Sequence, residues 1–159
     1  MIRPYDPATD ALWPLKRAFE TGLGESGGEA KAEAYDAKLT DDYRERWLAW
    51  VDRCVASEEC LFVAEREDGT ALAGYCFLLP ERLAFVWDAA VLNEIYVRPE
   101  ARGTGLADEL VARAVEHARE QNLPLDRLVL DVDRDNERAR AFYERHGFTH
   151  WGEMVAREL

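Results

Sequence analysis

Lysine is nearly missing from this chain. Only Lys16, Lys31 and Lys38 supply it, and arginine makes up the rest of 20 basic residues set against 32 acidic ones. The net charge of −12 excludes an ordinary nucleic-acid partner, because phosphate contacts need clustered cations. Cysteine is scarce too. Cys54, Cys60 and Cys76 are odd in number and lack metal-ligand spacing, which predicts reduced thiols in a cytoplasmic protein and no metal site. No run of about 18 apolar residues occurs, so neither a transmembrane helix nor a membrane partner is expected. Met1 to Asp6 hold no apolar signal core. Without repeats, low-complexity tracts or linkers, residues 1–159 are expected to form a single domain.

Against these absences stand an apolar content of 48% and five tryptophans, enough for a real core. The acid excess reads first as a lysine-poor surface fitted to a salt-rich cytoplasm, as in halophiles. Its second reading is attraction of a cationic amine, a pull that molar salt, with a Debye length of about 3 Å, removes.

Periodicity places the elements. Ile2 to Tyr5 reads as a strand, and a helix capped by Thr9-Asp10 runs to about Glu20, with Pro14 in its first turn. Gly22 to Gly28 reads as a flexible loop, and Glu29 to Leu39 as a short helix. Thr40 caps a clearer helix whose apolar stripe is Tyr43, Trp47, Trp50, Val51, Cys54 and Val55. That stripe serves the core or walls an acceptor pocket. Leu61–Glu65 and Leu72–Leu78 flank an Asp-Gly turn and predict a hairpin. Leu128–Asp133 reads as a buried parallel strand, Asn136 to His146 as a helix, and Phe148 and Glu153–Ala156 as final strands.

The organising stretch is Arg102-Gly103-Thr104-Gly105-Leu106-Ala107, between the apolar strand Val91–Val97 and an amphipathic helix ending near Asn122. Its glycines let the backbone turn tightly and approach a ligand. The first helical turn then offers unpaired N–H groups and a positive dipole end to a pyrophosphate. No Gly-x-x-x-x-Gly-Lys-Ser/Thr is present, which excludes a nucleoside-triphosphate P-loop. Asp108 stands where a dinucleotide fingerprint needs glycine or alanine. A second stretch follows: Asn136-x-x-Ala139-x-x-Phe142-Tyr143-x-x-x-Gly147-Phe148. Asn136 and Tyr143 are nearly two turns apart, so they share a helix face.

Arg102-x-x-Gly105-x-Ala107 resembles the acetyl-CoA signature of the GCN5-related N-acetyltransferases (GNAT), and the second stretch resembles that family's late Asn…Tyr…Gly-Phe pattern. The resemblance spans about Val91 to Phe148. It implies a GNAT fold of α/β (α+β) class: a central mixed, mostly antiparallel sheet flanked by helices, with its two parallel central strands splayed. It implies acetyl-CoA as donor, held by the backbone of Arg102, Gly103, Thr104, Gly105, Leu106 and Ala107. N–H groups near Ile95, Tyr96 and Val97 are expected at the thioester, and Asn136 at the CoA arm. Direct transfer to an amine of a small molecule or protein follows. A homodimer is left open, and a non-catalytic acyl-CoA-binding or regulatory module is the alternative. Tyr143 is the implied general acid for the leaving thiolate.

Deprotonating a primary ammonium with pKa near 10.4 at neutral pH costs about 4–5 kcal/mol, so a base is useful. Glu94 is the choice, because an acid inside an apolar strand needs a reason. The alternative is an ion pair with an arginine. Many family members carry their acid where this chain has Val91, so Asp88 and a water held by backbone carbonyls are the other choices. Asp133 or Asp135 reads as a helix cap, His146 and His150 as separated by Gly147, and His117 as solvated.

Overall fold

The Asp-Gly turn folds back as expected, and the sheet grows from that hairpin. The computed structural model describes the backbone of residues 1–159 and every side chain except that of Ser26. Strands β1 (Ile2–Pro4), β2 (Leu61–Glu65), β3 (Leu72–Leu78), β4 (Ala90–Val97) and β5 (Leu128–Val129) lie in that spatial order. The first four pair antiparallel and β5 joins β4 parallel, the mixed, mostly antiparallel sheet expected.

Two helical layers cover it. Every residue of β3 is buried, and neighbours on a strand point to opposite faces. On one face Cys76 Sγ reaches the Leu110 carbonyl of α4 (Leu106–Glu120) at 3.6 Å. On the other, Tyr75 packs edge-on against Phe19 of α1 (Trp13–Ser26), and Phe77 against Trp50 of α3 (Asp41–Ser57). The α3 stripe is core: Trp47, Val51 and Cys54 are buried, and Thr40 Oγ1 accepts the Tyr43 N–H at 3.1 Å as an N-cap. The three cysteines are free and buried.

One expectation fails at α1. The helix starts at Trp13 with no side-chain cap and runs through Gly22 and Gly24 to Ser26, where a loop was predicted. Each glycine costs about 1 kcal/mol relative to alanine in a helix, so packing overrides propensity here. A Cβ on Gly24 would stand 2.9 Å from Ala32 Cα of α2 (Glu29–Lys38); the bare backbone lets the two helices close together. Gly24→Ala is therefore expected to destabilise by about 1–3 kcal/mol through overpacking. Urea unfolding measures it, and a more stable variant refutes this reading of the helix pair.

The C-terminal third departs further. β5 holds two residues rather than six, and pairs only as Ala90↔Leu128 and Val91↔Val129. Downstream, Asp133 pairs with Lys31 of α2 at 2.5 Å and turns back to accept the Asp135 N–H. The predicted strands at Phe148 and Glu153–Ala156 do not form, since so short a β5 gives them no ladder to extend. Trp151, Met154 and Val155 are exposed, and Trp151 meets Arg127 at 4.8 Å.

Candidate active site

Beyond Val91 the edge of β4 that faces β5 has no strand partner among the described residues. Apart from the Val97 carbonyl, which accepts from Arg102 Nε at 3.1 Å, that edge is open to a ligand, which is the expected splay. Opposite Phe77 and Leu78 the ladder skips Asn93, an exposed bulge residue at mid-strand. Ile95 and Tyr96 are half-buried and Val97 buried. The strand ends in a 3-10 turn over Pro99–Ala101 and then the glycine turn. Gly103 and Gly105 sit at φ 76° and 86°, where a side chain is strained. Gly105 is the N-cap of α4 and offers no side chain to its first turn, so those N–H groups remain for an anion. Thr104 Oγ1 donates to the Ala101 carbonyl at 2.6 Å, and Leu106 and Ala107 pack on the core. A pantetheine-and-pyrophosphate ligand fits this set of open edge, bare glycines and uncapped helix.

Asp108, in the first turn of α4, is tied off. Arg145 and His146 of α5 (Glu137–Arg145, with His146 as C-cap) donate to its Oδ1 at 2.8 and 2.7 Å. Those bonds, His146 foremost, lower its carboxyl pKa and fix α5 beside the glycine turn. Asn136, Ala139, Phe142, Tyr143 and His146 are the half-buried positions of that helix, so Asn136 and Tyr143 do share its inward face. Asn136 is the N-cap, its Oδ1 accepting the Ala139 N–H at 3.1 Å. Tyr143 lies between the rings of Phe142 and Phe148 at 5.3 and 5.7 Å. Burial pushes its hydroxyl up to about 12.

Glu94 is 5% exposed and faces α1, but its partner is a lysine, not an arginine. Lys16 Nζ donates to Glu94 Oε2 at 2.7 Å and to Glu20 Oε1 at 2.5 Å, and Lys38 donates to Glu20 Oε2 at 2.7 Å. Tyr75 donates its hydroxyl to Glu94 Oε1 at 2.7 Å, and Asn93 Nδ2 reaches Oε2 at 3.4 Å. Around the Lys16 ammonium stand Trp47, Phe19 and Tyr43, with ring centroids at 4.7, 5.4 and 6.0 Å. In this quartet burial opposes the charges of Glu94, Glu20 and Lys16. At Glu94 burial prevails and raises the pKa; at Glu20 the two ammonium groups outweigh it and lower the pKa; at Lys16 the two carboxylates outweigh it and raise the pKa.

An open cleft of about 420 Å³ runs between α1 and the end of β4, lined among others by Arg17, Thr21, Glu25, Tyr96 and Arg102. A second of about 320 Å³ adjoins it, sharing Thr21 and Glu25.

Sequence reasoning missed Lys16 and Lys38; the one available signal was that lysine is so rare. It also misplaced His117 and the cap of α5. His117 is buried, not solvated: its Nε2 lies 2.7 Å from Glu58 Oε2 and its ring packs on Phe62. Neither Asp133 nor Asp135 caps α5, because Asn136 does. Asp88, the alternative base, is exposed in left-handed backbone at φ 56°. Among the described residues no group of three or more His, Cys, Asp or Glu is placed to hold a metal, and no helix is long and apolar enough to cross a membrane.

A strand parted from its neighbour, a glycine turn running into an uncapped helix and a tyrosine on the next helix form a set that suits a long phosphorylated thioester. The chain belongs to the acetyltransferase (GNAT) family, whose sequence model matches residues 26–148, and it is an acetyl-CoA-dependent N-acetyltransferase. It is 32% identical over 136 residues to a 5-NmdU N-acetyltransferase of Pseudomonas phage PaMx11, covering 86% of this chain and 89% of that one. It is 40% identical over 74 residues to a mycothiol acetyltransferase of Salinispora tropica, spanning 45% of this chain but only 24% of that relative. Among solved structures, a GCN5-related N-acetyltransferase from Ralstonia eutropha shares the fold at TM-score 0.69 and 21% identity, over 99% of this chain and 97% of that one. The PaiA N-acetyltransferase from Thermoplasma acidophilum, in complex with coenzyme A, does so at 0.71 and 18%, over 94% and 89%.

Proposed function

We propose that this chain moves the acetyl group of acetyl-CoA directly onto the amine of a small molecule, with Tyr143 as general acid and Glu94 on the base side. The observation that carries the reading is the parted β4–β5 pair opening beside the glycine turn. Bound there, acetyl-CoA supplies an activated acyl carbon and a thiolate leaving group. The backbone of Arg102 to Ala107 holds the pyrophosphate, the open edge at Ile95 to Val97 holds the arm, and Asn136 flanks it from α5. The free edge amides of β4 polarise the thioester carbonyl. Glu94, held by Lys16 and Tyr75, draws the acceptor's proton through a water, and Tyr143 keeps its proton at the phenolic oxygen until charge builds on sulfur. Clefts of about 420 and 320 Å³ on the α1 side favour a small acceptor over a protein.

All 159 residues serve as one unit in this reading. The free thiols support a cytoplasmic setting, and the charge of −12 supports a salt-adapted surface without nucleic-acid or membrane partners. Exposed Phe85, Val86 and Trp87 beside Leu125 support a homodimer.

The test is thermal unfolding in high salt with acetyl-CoA, NAD or ATP, followed by thiol release across an amine panel. Acetyl-CoA alone is expected to stabilise, by about 2.7 kcal/mol at a hundred times its Kd. No shift removes the proposal; a shift without thiol release for any amine leaves a non-catalytic CoA-binding module.

A further inference from the structure

The cleft between α1 and the end of β4 carries chemistry that amine acetylation alone does not need. Arg17 and Arg102 both line it, and neither has a carboxylate partner among the described residues, in a chain where acids outnumber bases. Arg102 spends its Nε on the Val97 carbonyl at 3.1 Å, which leaves its terminal nitrogens for another acceptor. Its guanidinium stands 6.0 Å from the Tyr96 ring centroid. Arg17 is exposed on α1, one residue past Lys16, and among the described residues its guanidinium has no carboxylate partner. Among the described residues Glu25 is the one carboxylate in this lining, against two guanidinium groups; Glu33 and Asp36 line the adjoining cleft. Unpaired guanidinium pairs in a concave site are suited to phosphate or carboxylate oxygens.

Position ties this cleft to the reacting end. Tyr96 lies two residues beyond Glu94, so both project from the α1 face of β4, about 7 Å apart along the strand. The cleft and Glu94 thus share one face of β4 through Tyr96, although Glu94 itself does not line the cleft.

We propose that this cleft is the recognition subsite for an anionic group on the acceptor, so that the substrate is an amine that also bears a phosphate or carboxylate. This rests on the acetyltransfer reading above and narrows its acceptor. Arg17 and Arg102 grip the anion, Tyr96 gives a flat apolar wall to the part between, and the amine points along the strand toward Glu94. The phosphates of CoA are the other source of the same chemistry, so the test is made with the CoA site filled.

Protein saturated with CoA is titrated by calorimetry with phenyl phosphate and with phenol, in the wild type and in Arg17→Ala. Because Arg17 is exposed on the surface of α1, the variant is expected to fold. Phenyl phosphate is expected to bind the CoA-loaded wild type, phenol not to bind, and Arg17→Ala to weaken phenyl phosphate at least tenfold while CoA affinity stays level. Three outcomes overturn the proposal: no phenyl phosphate binding, binding only when CoA is left out, or equal binding by Arg17→Ala. Loss of the acetyltransfer reading looks different. CoA then fails to stabilise the protein, while titration of the CoA-free protein still reads the cleft.

Discussion

Lys16→Met is expected to lower the unfolding free energy by about 3–5 kcal/mol, the usual consequence of removing one member of a buried ion pair. The loss comes less from missing attraction than from what stays behind. Glu94 keeps only the Tyr75 hydroxyl and the long Asn93 contact, and an uncompensated carboxylate remains 5% exposed in the core. Glu20 still has Lys38. The double variant Lys16→Met, Glu94→Gln is therefore expected to regain most of the loss, because a buried pair replaced on both sides is often near neutral. A double variant as unstable as the single one refutes the charge argument and assigns the effect to packing against Trp47 and Phe19.

Acidity separates the members of the quartet. Glu20 is held below its ordinary value of 4.5, so its contribution is present above that pH and is lost as pH falls through the lower folded value. Lys16 is held above 10.5, so its contribution is present below that and lost as pH rises through the folded value. Glu94 runs the other way. Burial raises its pKa, so it favours the fold below 4.5 and loses that advantage as pH climbs through its folded value. Without Lys16 the upward push on Glu94 grows, and the Lys16→Met deficit is expected to be largest near neutrality and to shrink on acidification. Urea midpoints from pH 4 to pH 8 read this directly.

Tyr143→Phe is expected to reduce kcat by about 10²-fold or more, in the range of a lost general acid, while the affinity for CoA stays level. With its pKa pushed to about 12 by burial, the phenol is protonated throughout the working range. Full transfer to a thiolate of ordinary pKa near 8.5 is uphill. Donation is favoured only as charge develops on a sulfur that is itself out of water, where its proton affinity rises with the same desolvation. Such an interaction exists in the transition state and not before it, so kcat and kcat/KM fall together. An unchanged kcat with a raised KM assigns Tyr143 to packing beneath α5, between Phe142 and Phe148.

What the sequence made legible was local or periodic. The glycine turn, the Asp-Gly hairpin, the Thr40 cap and the shared face of Asn136 and Tyr143 each follow from spacing within about a dozen residues. The misses were long-range. Gly22 and Gly24 read as loop because nothing nearby announces that Ala32 will pack against a bare backbone. Leu128–Asp133 reads as a full strand, yet only Leu128 and Val129 pair with β4, and the Lys31–Asp133 bridge beyond them spans 102 positions. Glu94 drew attention as an acid in an apolar strand, yet its partner lies 78 residues earlier, and no periodicity links the two. His117 looked solvated for the same reason, since Glu58 reaches it from the far end of α3.

All three lysines of the chain are tethered by carboxylates, Lys16 to Glu20 and Glu94, Lys31 to Asp133 and Lys38 to Glu20. A protonated amine held in a bridge has no lone pair to attack with. The enzyme thus carries an activated acetyl group while showing it scarcely any nucleophilic lysine of its own, and it is spared becoming a substrate of its own reagent.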